Sequence, residues 1–400
     1  MLSEKRLAVL FGDCDNGGAS RSADYDNGIW QHTLGIQRVP LEKSMTDEQI
    51  ALWCKTNGID VLLCTMWGTF VAGTGKNDRG VKTLKSYYPE LKVIGIVDEP
   101  LVVDITSRFG GSSKNMEISK GYVDGISDFD GIFCLVESEL AFYSSFNKNV
   151  AYVGLPFPDD KYPGGGYSTL LRKDVRKEKQ FDDIWIGLGV GGNAYTRWER
   201  NYLVAFESFK KTKELLIEAG LGSEKSIKGI LLSWTEKSQI DVIDFIKTNY
   251  RDVMIQVRSD MATYLHFLQS CDLVINPCIR DTPQRINGEC AYFGVPIVSS
   301  FLEYESAIKA QFVDPDNDES CFPVIENPFD VQSIAENAFN ILKLRSRDED
   351  EFEERIEEVR SQFVDRFGYE SMRSNFSRIM KEWGICDSWQ QGSRVERTFL

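Results

Sequence analysis

Seven residues separate Asp281 from Glu289 in the stretch CDLVINPCIRDTPQRINGECAYFGVPIVSS, residues 271–300. On a polar loop such a pair can accept hydrogen bonds from the hydroxyls of a ligand, and charge-assisted bonds of that kind are worth roughly 1.5–3 kcal/mol. Arg285 and Asn287, between the two acids, add a cation and an amide to the same loop. A second group of residues suits anions. Residues 187–192 read GLGVGG, and Arg197 and Arg200 follow. Glycines such as Gly191 and Gly192 let backbone N–H groups approach a phosphate, and an adjacent guanidinium neutralises it. Gly17 and Gly18, in NGGASR at 16–21, offer another close backbone approach and an anion-binding nest. Asp98, with Glu99 in reserve, ends the apolar run before Pro100, and Arg258 opens RSD at 258–260.

These residues follow strands. Residues 272–277 read as a short apolar strand closing on Asn-Pro, a polar loop follows, 289–294 read as a short helix stopped by glycine, and 295–298 as a second buried strand. That succession is one unit of a parallel sheet, in which ligands bind beyond the strands' carboxyl ends. The pattern recurs in two series. The first has strands at 7–11, 59–67, 91–97, 131–136 and 150–153, with helices at 47–55, 81–88 and 118–126. The second has strands at 184–188, 229–234 and 253–257, with helices at 199–219, 239–248 and 261–269, and then the 271–300 unit. Helices at 329–344 and 350–363 come next, and an amphipathic one at 369–383. Such alternation predicts α/β architecture with two doubly wound parallel sheets. Residues 156–183 carry prolines, three consecutive glycines and clustered charges, the composition of a boundary. The expected division is a first domain over 1–157, a linker over 158–183, a second domain over 184–365, a last helix over 366–386 and a loose tail over 387–400.

Composition narrows the function classes. At 400 residues the chain exceeds what one compact core organises. A net charge of −15 opposes nucleic-acid binding, which needs clustered Lys and Arg to neutralise phosphates. RKDVRKEK at 172–179 is the basic exception and reads as an exposed linker, while DEDEFEERIEE at 348–358 reads as a solvated helix face. No apolar run approaches the roughly 18 residues of a membrane helix. The N-terminus passes from charged residues straight into a core strand, without the cleavage pattern of a signal peptide. Nine cysteines, scattered and without a C-x-x-C pair, fit buried reduced thiols and a cytoplasmic location rather than a disulfide framework. With two histidines, His32 and His266, a histidine-rich zinc site is not expected.

The acid spacing carries a resemblance. An acidic residue, seven residues, a glutamate, a small residue, then Gly-x-Pro and a strand is the pattern of the nucleotide-sugar half of GT-B glycosyltransferases, retaining family 4 above all. Asp281, Glu289 and Gly294-Val-Pro296 fit it. Residues 200–209, with Arg200-Asn201 at one end and Ser208-Phe209 at the other, are similar to that family's Lys-Gly-x-x-x-x-x-x-Ala-Phe pattern, with Arg for Lys. The resemblance covers nearly the whole chain. It implies GT-B architecture, two Rossmann-like doubly wound parallel-sheet domains facing across a cleft, with the last helix crossing back to the first domain. It implies a retaining enzyme that moves a sugar from a nucleoside diphosphate sugar to a glycan or other small-molecule or polymer acceptor, without a metal or other cofactor. By resemblance Glu289 holds the nucleotide ribose, Asp281 a sugar hydroxyl, and Arg200 with Arg197 the diphosphate. Asp98 lies near the transferred sugar, Arg258 falls in the base-binding region, and the loop of Gly17 and Gly18 faces the sugar diphosphate. One departure stands out. The family carries Gly-Phe-Gly-x-Pro between its acids, whereas this chain has TPQRING at 282–288 and the shorter Asp281, which leaves Arg285 and Asn287 to contact phosphate or sugar.

Each motif also has a purely structural use. An acid at a helix start complements the dipole, Gly-x-Pro after a helix is stop punctuation, and an acid before proline is turn chemistry. Arg197 and Arg200 can be surface residues on a helix's first turn. GLGVGG satisfies the G-x-G-x-x-G of dinucleotide-binding folds, although no acid ends a second strand about 20 residues on. The competing readings are therefore a GT-B-fold sugar-nucleotide epimerase, an NAD-dependent enzyme, and a GT-B-like binding protein without catalysis.

Overall fold

The computed structural model describes residues 5–10, 30–31, 33–39, 45–65, 80–97, 120–154, 156–159, 161, 183–191, 201–233, 240–257, 261–279, 285–300 and 325–389. The chain divides into two units, Met1–Gly164 with Phe367–Leu400, and Gly165–Arg366.

In the first unit, β1 (Leu7–Leu10), β2 (Gln37–Arg38), β3 (Val61–Thr65), β4 (Lys92–Val97), β5 (Gly131–Cys134) and β6 (Val150–Tyr152) build one sheet. Its order is β2-β1-β3-β4-β5-β6, and every pair is parallel. All four residues of β1 are buried, as are all four of β5, which is what a sheet covered on both faces requires. The helix α1 (Asp47–Thr56) starts on a capping box: Thr46 Oγ1 accepts from the Gln49 N–H, and Gln49 Oε1 accepts from the Thr46 N–H at 2.8 Å. It buries Ile50, Ala51 and Cys54, while α2 (Val81–Tyr87) buries Val81 and Leu84. A short helix, α3 (Leu140–Ser144), precedes β6. The order reverses at β1, with β2 on one side and β3 on the other. That strand's carboxyl end is thus the sheet's switch point, and the loop of Gly17 and Gly18 comes after it in sequence.

The second unit holds β7 (Ile184–Gly191), β8 (Ile227–Ser233), β9 (Val253–Val257), β10 (Leu273–Asn276) and β11 (Ile297–Ser299) in the order β11-β10-β7-β8-β9, again all parallel. Its helices are α4 (Tyr202–Glu218), α5 (Ile240–Asn249), α6 (Met261–Ser270), α7 (Arg285–Phe293), α8 (Val331–Arg347) and α9 (Glu349–Phe367). Phe352, Ile356, Val359 and Phe363 form the buried stripe of α9, and the acids of residues 348–358 lie mainly on its exposed side, the solvated face expected from the sequence.

The last helix, α10 (Tyr369–Glu382), belongs to the first unit. Tyr369, Met372, Phe376, Ile379 and Met380 form its buried stripe. Phe376 lies 4.9 Å from Phe133 of β5, 6.2 Å from Trp30 and 5.5 Å from Trp389, centroid to centroid. Ser388 and Trp389 fall in the stretch expected to be loose, yet they are tied down. The Lys5 N–H donates to the Ser388 carbonyl at 3.1 Å, and Trp389 Nε1 donates to the Leu34 carbonyl at 2.6 Å.

The seven cysteines among the described residues are free and buried. Burial pushes the Cys54 thiol up to about 12, and burial followed by the Glu139 charge does the same for Cys134. Among the described residues no helix is long and apolar enough to cross a membrane.

Candidate functional site

Strand order decides which loops meet in the second sheet. The chain runs outward from β7 to β8 and β9, then returns to lay β10 and β11 on the other side of β7. The switch point therefore lies between β7 and β10, whose register pairs Ile186 with Leu273 and Leu188 with Ile275. Adjacent strands lie about 4.8 Å apart. The segment leaving β7 and the segment leaving β10 thus start from neighbouring strand ends, where α/β proteins bind ligands. The first segment carries Gly192, Arg197 and Arg200, the second Asp281. These four lie outside the described residues, and the strand ends that deliver them are described.

The exit from β7 is irregular. Gly187 pairs with Ile230 and Val190 with Leu232, so three steps along β7 match two along β8. An extra residue of this kind bends a strand and re-aims the chain beyond it, and bulges concentrate beside functional sites. The strand continues to Gly191, which pairs with Ser233. Gly191 is thus a strand-end residue, a correction to the loop position expected from the sequence. Pairing with β8 overrides the poor strand propensity of glycine. The same fact removes the geometry of a dinucleotide fingerprint. There the first glycine turns the chain out of its strand, but Gly187 lies inside β7, where a Cβ would sit 3.0 Å from Val274 Cγ2.

Helix α4 opens beyond this exit. Its N-cap, Asn201, has φ 52° and ψ 45°, the one non-glycine residue with positive φ among the described residues. Holding a non-glycine residue there costs on the order of 1 kcal/mol. The Asn201 side chain does not cap the helix; its Nδ2 donates to the Pro328 carbonyl at 2.6 Å. No acidic residue occupies the first turn. The positive end of a 17-residue helix is left without a carboxylate of its own, an arrangement suited to an anion.

Glu289 stands on α7, which begins at Arg285 rather than at Glu289 as expected, because RING lacks an apolar period to mark the true start. The carboxylate consequently sits in the second turn, and the first turn holds no acid. Dipole complementation fades beyond the first turn. Glu289 is 1% exposed and Asn287, on the same helix, 2%. The Tyr264 hydroxyl, from α6, donates to Glu289 Oε2 at 2.5 Å. Burial, then the charges of Glu289 and Cys271, push the neighbouring Cys290 thiol well above its ordinary value, so it stays protonated and is no nucleophile. Asn276 closes β10, and its Nδ2 donates to Ser299 Oγ at 3.3 Å, tying the ends of β10 and β11 together. Tyr264, as the partner of Glu289, is the candidate residue that the sequence hid. Tyr264 and Glu289 are 25 residues apart on different helices, and no spacing rule links them.

No protein-family model matches the chain, and no curated protein is similar to it in sequence. Solved structures share its architecture. A sucrose-phosphate synthase from Thermosynechococcus elongatus superposes with a TM-score of 0.64 over 94% of this chain and 99% of its own, at 10% identity. A UDP-forming α,α-trehalose-phosphate synthase from Burkholderia xenovorans gives 0.61 over 96% and 100%, at 11% identity. A structure of trehalose-6-phosphate from E. coli bound with UDP-2-fluoro glucose gives 0.58 over 94% and 99%, at 10% identity. The chain has the GT-B fold.

The other candidates of this GT-B chain are placed by their strands. Arg285 opens α7, and its side chain lies outside the described residues. Gly17, Gly18, Asp98 and Arg258 lie outside them altogether. The strands before them are described: Asp98 comes directly after β4, two places from β1, and Arg258 directly after β9, the outer strand of the second sheet, two places from β7. Among the described residues no three His, Cys, Asp or Glu side chains cluster as a metal site.

Proposed function

We propose that this GT-B protein is a glycosyltransferase that moves a sugar from a nucleoside diphosphate sugar to a glycan or other hydroxyl-bearing acceptor, retaining configuration, by the chemistry of family 4. The switch point between β7 and β10 carries the reading, because the chain leaves two neighbouring strands there, from β7 toward its glycines and α4 and from β10 toward Glu289. On this proposal Glu289 accepts the ribose hydroxyls, held in place by Tyr264, and Asp281, Arg285 and Asn287 contact the sugar and its phosphate. Gly191, Gly192, Arg197, Arg200 and the positive end of α4 hold the diphosphate. Gly17, Gly18 and Asp98 approach the transferred sugar, and Arg258 the base. Breaking the glycosidic bond places negative charge on the departing diphosphate. Donors already aimed at that charge need no reorganisation as it develops, which is electrostatic catalysis. The acidic chain, at −15, suits a neutral or cationic acceptor better than nucleic acid. The free buried thiols suit the cytoplasm.

The test is donor hydrolysis. Incubated with UDP-, GDP- and ADP-sugars, the purified protein should slowly release one nucleoside diphosphate. Tight binding of a diphosphate with no release from any donor would make it a binding protein instead.

The proposed chemistry neutralises the diphosphate with arginines and amides, so donor hydrolysis should continue in EDTA. Complete loss on chelation, restored by magnesium or manganese, would contradict it. Tyr264→Phe removes the phenolic donor and keeps the ring. A net hydrogen bond is worth about 0.5–1.5 kcal/mol, so nucleoside diphosphate affinity should fall roughly twofold to tenfold. Unchanged affinity by calorimetry would show that Tyr264 does not position Glu289.

A further inference from the structure

A cavity of about 410 Å³ opens on the first unit at the amino ends of β4, β5 and β6, the sheet edge opposite its switch point. Lys92 begins β4, Asp130 precedes β5 and Asn149 precedes β6. Its volume lies within the roughly 300–1,000 Å³ typical of small-molecule sites.

Hydrogen bonds fix the walls. Buried Asn147 donates through Nδ2 to the carbonyls of Ile126 at 3.1 Å and Phe129 at 2.9 Å, and its Oδ1 accepts from the Asn149 N–H at 2.9 Å. Asn149 Nδ2 donates to the Asp130 carbonyl at 2.8 Å. Burial favours a raised Asp130 carboxyl, but Lys85 at 2.7 Å, the Val93 N–H at 2.8 Å and Lys92 at 3.1 Å together hold it below its ordinary value. Asp130 is therefore an anion already neutralised. Trp383 is clamped by its stack on Phe133, centroids 5.0 Å apart, and by the missing side chain of Gly131, where a Cβ would lie 2.3 Å from Trp383 Cζ3.

Against this rigid floor stand two donors that the described fold leaves unused. Among the described residues neither the Lys148 ammonium nor the Trp383 indole N–H has a protein hydrogen-bond partner. Phe146 is 41% exposed although large and apolar. Ser127 adds a hydroxyl that also donates to the Asp124 carbonyl at 3.4 Å, and Lys92 adds a second ammonium, half-exposed although paired with Asp130. An indole and a phenyl ring suit the apolar C–H face of a pyranose, the indole N–H and hydroxyl suit its oxygens, and ammonium groups suit a phosphate.

We propose that this cavity is a second ligand site and binds a phosphorylated hexose, with the ring against Trp383 and Phe146 and the phosphate on Lys148 and Lys92. The site does not rest on the transfer reaction. Calorimetric titration of the whole protein with glucose 6-phosphate and mannose 6-phosphate, alongside glucose, inorganic phosphate and UDP, tests it. At least one hexose phosphate should bind with a dissociation constant on the order of 0.1–1 mM, and glucose and inorganic phosphate more weakly. Lys148→Ala, on the surface, should weaken hexose phosphate binding about tenfold with UDP binding and melting temperature unchanged. Trp383→Phe, which keeps the stack on Phe133, should weaken it about threefold by loss of the indole donor. The proposal is overturned if neither hexose phosphate binds, if Lys148→Ala binds as well as the parent, or if inorganic phosphate binds as tightly as the sugar phosphates. Failure of UDP to bind would instead count against the transfer reading and leave this one standing.

Discussion

The Glu289→Gln protein should melt near the temperature of its parent, yet bind nucleoside diphosphate about tenfold to a hundredfold more weakly. Glutamine keeps the shape of the side chain, and its carbonyl still accepts from the Tyr264 hydroxyl that holds Glu289 Oε2. The fold therefore loses little. The ligand loses a charged acceptor and meets an N–H donor in its place, at a position only 1% exposed, where little water can compensate. Charge-assisted hydrogen bonds of roughly 1.5–3 kcal/mol set the scale. Calorimetry paired with a melting curve separates the cases. A lowered melting temperature with unchanged affinity would make Glu289 a structural residue.

Phe376→Ala should destabilise the first unit by about 3–5 kcal/mol, the range for emptying a buried aromatic position. The ring is 1% exposed and packs on Phe133, Trp30 and Trp389, so truncation loosens β5, the last helix and residues beyond it together. Two units need not unfold in one step. The measurement is urea unfolding monitored by near-ultraviolet circular dichroism, which reports the tryptophans around this ring. The transition assigned to the first unit should move to lower urea while the other stays in place. A shift below about 1 kcal/mol would contradict the packing of α10.

The α/β pattern was legible because its strands are buried on both faces and read as apolar runs, such as LAVL in β1 and LVIN in β10. β2 was not, since two polar residues, Gln37 and Arg38, carry no period and join the sheet only by pairing with β1. The spacing of Asp281 and Glu289 pointed to the loop beyond β10, and GLGVGG to the exit of β7. That these strands are neighbours is a consequence of the order in which the sheet is laid down, which sequence alone does not state. The true end of β7 is not legible in the sequence, because glycines read as a loop until β8 pairs with them. Tyr264 and the strained Asn201 are products of tertiary packing between elements distant in the chain, and no local signal announces either.

The central claim is that the switch point of the second sheet holds a nucleoside diphosphate. Titrating the intact protein by calorimetry with UDP, GDP, ADP and NAD tests it directly. One diphosphate should bind with one-to-one stoichiometry, its free nucleoside far more weakly, and the affinity should drop in Glu289→Gln. Binding of NAD alone, or of no nucleotide in the panel, would contradict the account.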